Sequence, residues 1–258
     1  MHISNSYLRK QKIISELINN RSIEVNELAQ KLEVTPATIR NDLTNLEKRG
    51  LIIRTHGGAV LSEDETLARN FSNTIHEHTK EKEEIAKEAA SLVKDGDTII
   101  IDAGSTNAFL AKYLQNKNIT VLTNSLPVVH ALMNYTNIEI IMIGGVIRRA
   151  SQSSIGNFGK AILESFNVDI YFMGATNFDI QKGISNSNIV EGQTKQLMLE
   201  ASQKVCFIAD SSKGNKSSMF KICNWNNIDI FITDNLSQDE KNILLTKNPE
   251  IKITALDN

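Results

Sequence analysis

The sequence predicts an α/β protein in two parts. Residues 1–61 form a small helical domain closed by a β-hairpin, residues 62–78 a linker, and residues 79–258 a larger domain on a mainly parallel sheet. Three observations carry this. Apolar runs rich in β-branched residues recur from residue 98 onward with helical stretches between most of them, the pattern of strands buried on both faces. The first sixty residues instead space their apolar positions at the helical repeat. Charge is also uneven. The 258-residue chain has a net charge of −2, yet residues 1–61 carry nine Lys/Arg against six Asp/Glu, so a small basic segment precedes a larger acidic one.

In the N-terminal part, "YLRKQKIISELINN" places Ile13, Ile14, Leu17 and Ile18 on one stripe. "VNELAQKLEV" places Leu28, Ala29 and Leu32 on another, with Asn26 expected as N-cap. "TPATIRNDLTNLEKRG" has start and stop signals: Thr35 as N-cap, Pro36 at the first helical position and Gly50 past the end. "LIIRTHGGAVL" then reads as a hairpin turning at Gly57-Gly58. Three helices and a hairpin in this order make a winged helix-turn-helix. On the third helix Ile39, Leu43 and Leu46 share the inward face, leaving Ala37, Arg40, Asn41, Thr44 and Lys48 outward, with Thr35 and Thr38 at its start. Such a face suits the major groove: Arg pairs bidentately with guanine, Asn with adenine, and a small Ala meets a thymine methyl. Arg54 and His56 in the wing are placed for phosphate or the minor groove. The alternative is a small bundle with a solvated charged face; the Thr-Pro start, the glycine hairpin and the local positive charge favour DNA.

The stretch 62–78 is polar and weakly patterned, a linker with the start of a helix. "KEKEEIAKEAASLVKDGD" is an amphipathic helix. Seven apolar runs follow, "TIIID", "ITVLT", "IEIIMIGG", "IYFMGA", "KVCFIAD", "IDIFITD" and "IKITAL", with helices expected at 107–115, 127–134, 158–166, 190–202 and 238–245. Ligands of such sheets bind at the carboxyl ends of the strands. Four loops there are rich in hydrogen-bonding groups: Gly104, Ser105 and Thr106; Thr123, Asn124 and Ser125; Gly144 and Gly145 with Arg148 and Arg149; Asp210 with Lys213. Helix-start N–H groups and lysine suit an anionic group of a small polar molecule. Asp102, which would repel a phosphate, is assigned to its hydroxyl end or to loop support. Each of these residues also has a plainer reading as helix cap or surface charge.

No apolar run approaches a membrane span and the start of the chain lacks a signal peptide's apolar stretch, so a cytoplasmic protein without membrane attachment is expected. Cys206 and Cys223 lie in separate apolar runs and read as core thiols. His76 and His78 have no evident further ligands for a metal, and no cofactor is expected.

The segment "ELAQKLEVTPATIRNDLTNLEKRGLIIRTHGGAV" resembles the signature of DeoR-type bacterial transcription regulators, which show Thr-Ile-Arg-Arg-Asp-Leu in the recognition helix and an Arg-x-His-Gly-Gly-Ala wing. Asn41 stands where the family has a second Arg. The resemblance extends through "DGDTIIIDAGST", "TVLTNS", "IGG", "MGA" and "IADSSK". It implies a repressor of a carbohydrate operon, a phosphorylated sugar effector, operator DNA as partner and a homo-oligomer, dimer or tetramer. The family's effector domains resemble ribose-5-phosphate isomerases. Here Met173 and Thr176 occupy the positions of that enzyme's catalytic carboxylates, and Lys195 that of its glutamate base. Sugar isomerisation needs a positioned base, so the resemblance implies retained binding without turnover, with Glu191, one helical turn before Lys195, as the remaining candidate base and Lys195 among the effector contacts. The alternatives are an isomerase-like enzyme with an appended DNA-binding domain, and a protein whose second domain only dimerises.

Overall fold

A computed structural model of the chain describes residues 5–20, 22–47, 52–61 and 71–256. The chain divides into two compact units, Met1–Ala68 and Arg69–Asn258.

In the N-terminal unit, α1 (Asn5–Asn20) leads into β1 (Ser22–Glu24), α2 (Val25–Lys31), α3 (Pro36–Glu47), β2 (Ile52–Thr55) and β3 (Gly58–Leu61). Ile13, Leu17, Leu28, Ala29, Ile39, Leu43 and Leu46 are buried together with Ile23, Ile52 and Ala59. Ile14, Ile18, Lys48 and Gly50 lie outside the residues whose side chains are described. Thr35 caps α3 as its sequence requires, accepting the Thr38 N–H at 3.2 Å. Asn26 does not cap α2. The helix begins one residue earlier, with Glu24 at the cap, because β1 runs straight into it and the Val25 N–H is held by the Gly57 carbonyl at 2.9 Å.

The wing is a hairpin that also takes β1 as a third strand, in the order β1-β3-β2. This explains both glycines of the turn. Gly57 sits at φ +95°, where a side chain is strained, and a β-carbon on Gly58 would lie 1.9 Å from the Ile23 carbonyl oxygen of β1. Asp42, facing inward on α3, is buried and paired with Arg9 Nε at 2.5 Å, which ties α1 to α3.

The C-terminal unit opens with α4 (Phe71–Thr74) and α5 (Thr79–Ser91). The described part of the expected linker, 71–78, is therefore an ordered turn belonging to this unit. The Phe71 N–H donates to the Ala150 carbonyl at 2.8 Å, and the buried Lys82 ammonium donates to the carbonyls of Thr74, at 2.5 Å, and Glu77.

Then follow β4 (Thr98–Ile101), α6 (Ser105–Lys112), β5 (Ile119–Thr123), α7 (Leu126–Leu132), β6 (Ile138–Met142), β7 (Val146–Arg148) and β8 (Ser153–Ile155). The chain continues with α8 (Lys160–Leu163), β9 (Ile170–Met173), β10 (Asn177–Asp179), β11 (Gly183–Asn186), α9 (Ile189–Glu200) and β12 (Val205–Ile208). It closes with β13 (Phe220–Cys223), β14 (Ile230–Thr233), α10 (Gln238–Lys247) and β15 (Lys252–Ala255).

All seven expected strands pair in parallel in one sheet, β15-β14-β12-β9-β4-β5-β6. Their runs are continuously apolar because both faces are covered. Ile99, Ile101, Val121 and Phe172 pack under α5, α6 and α7, while Ile100, Leu122, Tyr171 and Phe207 pack on the side of α8, α9 and α10. The order reverses between β4 and β9, so the loops after these two strands open a crevice at the carboxyl edge.

Two features were not expected. The 144–149 segment is no simple loop, since Val146–Arg148 pairs with Ser153–Ile155 as a hairpin. A small antiparallel sheet, β10-β11-β13, covers one face, fixed by Trp225 among Phe178, Phe207 and Phe231 at ring distances of 5.2 to 6.0 Å. Among the described residues no helix is long and apolar enough to cross a membrane. Both cysteines are free and buried; burial pushes the Cys223 thiol up to about 12, so it stays protonated.

Adding a methyl at Gly58 is expected to force β1 off β3. Gly58→Ala should destabilise the N-terminal unit by about 1–3 kcal/mol or more and leave the C-terminal unit's unfolding unchanged. Calorimetric or proteolytic unfolding of the two units checks this, and an unaltered N-terminal unit contradicts it.

Candidate functional site

On α3 the outward side chains are those the helical repeat assigns. Thr35, Ala37, Arg40 and Asn41 are exposed, Thr38 and Thr44 half-buried, and His56 is exposed on the wing turn. Arg54 is drawn in more than expected. It is half-buried and donates from Nη1 to Thr44 Oγ1 at 3.3 Å, bracing the wing against α3.

In the C-terminal unit a pocket opens at the β4–β9 crevice. It is lined by Gly104 and Ser105 after β4, Thr176 after β9, and Lys213 in the turn after β12. Asn186, Glu191 and Lys195 lie across it, and Phe71 and Thr74 of α4 with Ser151 complete its wall. Gly104 is the N-cap of α6 and takes φ +154°, so the helix start carrying Ser105 faces the pocket without a side chain before it. The strands β12, β9 and β4 are neighbours, so the loops carrying Lys213, Thr176 and Ser105 follow one another along one edge of the sheet.

Beneath the pocket lies a buried charge cluster. Asp102, fully enclosed, accepts from Lys195 Nζ at 2.5 Å, from the Tyr171 hydroxyl at 3.0 Å and from the Gly174 N–H at 3.2 Å on Oδ2, and from the Ala103 N–H at 2.7 Å on Oδ1. Burial first, and then the Asp102 charge, raises the Tyr171 phenol well above its ordinary value, so it remains a hydrogen-bond donor. Glu191 stands 3.9 Å from Lys195 Nζ and 3.8 Å from Arg148. Asp210 is buried, which favours its neutral form. The Lys213 ammonium 4.0 Å away, the Ser212 hydroxyl, Lys82 and His78 outweigh that burial and hold its carboxyl below the usual range.

Of the expected effector contacts, the structure brings Gly104, Ser105, Lys195 and Lys213 to the pocket. Asp102 supports the loops and does not line it. Thr123, Asn124 and Ser125 are fully buried and hold backbone. Thr123 donates to the Ile101 carbonyl, Asn124 bridges the Ala103 N–H and the Ser154 carbonyl, and Ser125 caps α7. Thr106 is buried next to Ser105, Gly144 and Gly145 lead into the hairpin, and Arg148 stands behind the lining, 3.8 Å from Glu191. Phe71, Thr74, Ser151 and Asn186 escaped sequence reasoning because none sits in a spaced pattern. Met173 is fully buried.

Residues 77–235 match the family described as DeoR C terminal sensor domain, and residues 9–65 the DeoR-like helix-turn-helix domain. The HTH-type transcriptional regulator GolR of Listeria innocua is 40 % identical over 88 % of this chain and 90 % of its own. A putative aga operon transcriptional repressor of Escherichia coli is 33 % identical over 88 % of this chain and 85 % of its own. Among solved structures, ribose 5 phosphate isomerase A from Neisseria gonorrhoeae is 22 % identical with a TM-score of 0.38, each chain covered to 53 %.

Replacing Lys195 with Met leaves Asp102 enclosed without its counter-charge. A loss of about 3–5 kcal/mol is expected, with part of it recovered in the Asp102→Asn/Lys195→Met double variant. Urea unfolding measures both, and an unshifted midpoint for Lys195→Met would show that the pair carries no structural weight.

Proposed function

The chain belongs to the DeoR family of helix-turn-helix transcriptional regulators, and from that premise we propose that it represses a carbohydrate operon and is released by a phosphorylated sugar. It acts in the cytoplasm as a homo-oligomer, since one winged helix alone binds DNA weakly and two read paired half-sites. The relative named as an aga operon repressor supports the sign and the class of operon.

Arg40 and Asn41 are the base-reading pair, because they are exposed on the face opposite Ile39, Leu43 and Leu46. Ala37 supplies apolar contact. Thr35, Thr38 and His56 serve the backbone, and Arg54 and Thr44 set the wing against the helix.

The observation that carries the effector reading is the pocket at the switch point. The start of α6 and Lys213 supply positive potential for a phosphate, and Glu191, Asn186 and Thr176 supply groups for hydroxyls. The chain binds this ligand without converting it. Met173 offers no base, and Lys195 is engaged with Asp102. The wall made by α4 gives the coupling route, because α4 is the first described element after the wing of the DNA-binding unit. A ligand touching Phe71 and Thr74 acts on that connection, provided it favours one arrangement over the other.

Two outcomes are expected. Arg40→Ala should lose about 1–3 kcal/mol on the operator and little on scrambled DNA; equal losses on both would contradict base reading. Lys213→Ala should bind the effector about tenfold to a hundredfold more weakly while holding the operator normally without it. In a band-shift titration the variant then stays on DNA at effector concentrations that release the wild type. A wild-type response would move the phosphate elsewhere.

A further inference from the structure

We infer that Glu191 makes the pocket selective for phosphorylated alcohols over phosphorylated acids: the ligand's end remote from its phosphate must present uncharged hydroxyls. This rests on the reading of the pocket as a phosphate site and adds the chemistry of its other end.

The argument starts from what Glu191 does not do. It lines the pocket at the third position of α9, where its N–H is taken by the Asn188 side chain at 2.9 Å. Its carboxylate oxygens lie 3.8 Å from Arg148 and 3.9 Å from Lys195, close enough for charge attraction and too far for hydrogen bonds. Lys195 gives its close contact to Asp102 instead. Among the described residues no side chain donates a hydrogen bond to the Glu191 carboxylate. A carboxylate held by charge but not by hydrogen bonds, on a pocket wall, is an acceptor for ligand O–H groups.

The charges then decide what else fits. At the Glu191 end Lys195 and Arg148 face Asp102 and Glu191, two cations with two carboxylates, so that end is balanced before any ligand enters. A phosphate is offset at one end by the α6 start and Lys213. A second anion at the Glu191 end meets a carboxylate whose neighbouring cations already have partners, and like charges brought together there are selected against. A hydroxyl at the same place gains an ionised acceptor. Asn186 and Thr176, bonded to each other at 3.0 Å on the same wall, add uncharged polar groups and no further cation.

The test uses the full chain and two pairs of compounds, each pair differing only in a CH2OH group against a carboxylate. They are glycerol 3-phosphate with 3-phosphoglycerate and sorbitol 6-phosphate with 6-phosphogluconate. Inorganic phosphate is the control. Calorimetry on the wild type should give at least one alcohol bound more tightly than inorganic phosphate and about tenfold or more over its acid partner. In Glu191→Gln the alcohol-to-acid ratio should fall to about threefold or less, through weaker alcohol and stronger acid binding. In Glu191→Asp, which keeps the charge, preference for the alcohol should persist. A wild type that prefers the acid, or a ratio that Glu191→Gln leaves unchanged while phosphate still binds, overturns the inference alone. Failure of inorganic phosphate and all four compounds to bind overturns the phosphate reading and this inference with it.

Discussion

The buried pair of Asp102 and Lys195 holds the C-terminal unit's functional edge together. Asp102 directly follows β4, accepts from the Gly174 N–H beyond β9, and is reached by Lys195 from α9. One carboxylate thus joins the two strands between which the sheet reverses and the helix that carries Glu191. A buried ion pair adds little net stability, because desolvating both charges offsets their attraction, but losing one partner is costly. What it provides here is placement. Gly104 and Ser105 follow Asp102 by two and three residues, and Glu191 sits one turn before Lys195. The same contact keeps the lysine charge on a protein carboxylate.

That edge also meets the first described element of the C-terminal unit. Phe71 and Thr74 wall the pocket, and α4 is held by the Phe71 N–H on Ala150, the Lys82 ammonium on the Thr74 carbonyl and Gln152 on Ser72, among other contacts. Ser72 and Asn73 are exposed and no residue of α4 is buried. Elements with so little buried surface open and shift at low cost. Lys82 also contributes to lowering the Asp210 carboxyl, which Lys213 does more strongly.

Much of this was legible in the sequence, for identifiable reasons. The seven parallel strands stand out because burial on both faces makes their runs continuously apolar. Helix α3 stands out because Thr35, Pro36 and the Ile39/Leu43/Leu46 spacing agree. What escaped depended on partners distant in sequence. β1 is three residues long and is fixed by β3, more than thirty residues away. The β7–β8 hairpin and the β10-β11-β13 sheet are built of strands of three or four residues, too short for a period to show in the sequence. At the site, Thr123, Asn124 and Ser125 show the main ambiguity. Hydroxyls and amides at strand ends bond backbone as readily as ligands, and composition does not tell which. The pocket's Asn186, Ser151 and Thr74 come from segments with no spacing signal at all.

The most direct test of the central claim is amide hydrogen exchange on the full chain with and without a phosphorylated alcohol that releases it from DNA. The account predicts slower exchange at 104–107, 174–176 and 211–213, together with a change at 71–78. Protection confined to other segments, or protection of those loops with residues 71–78 unaltered, would contradict it.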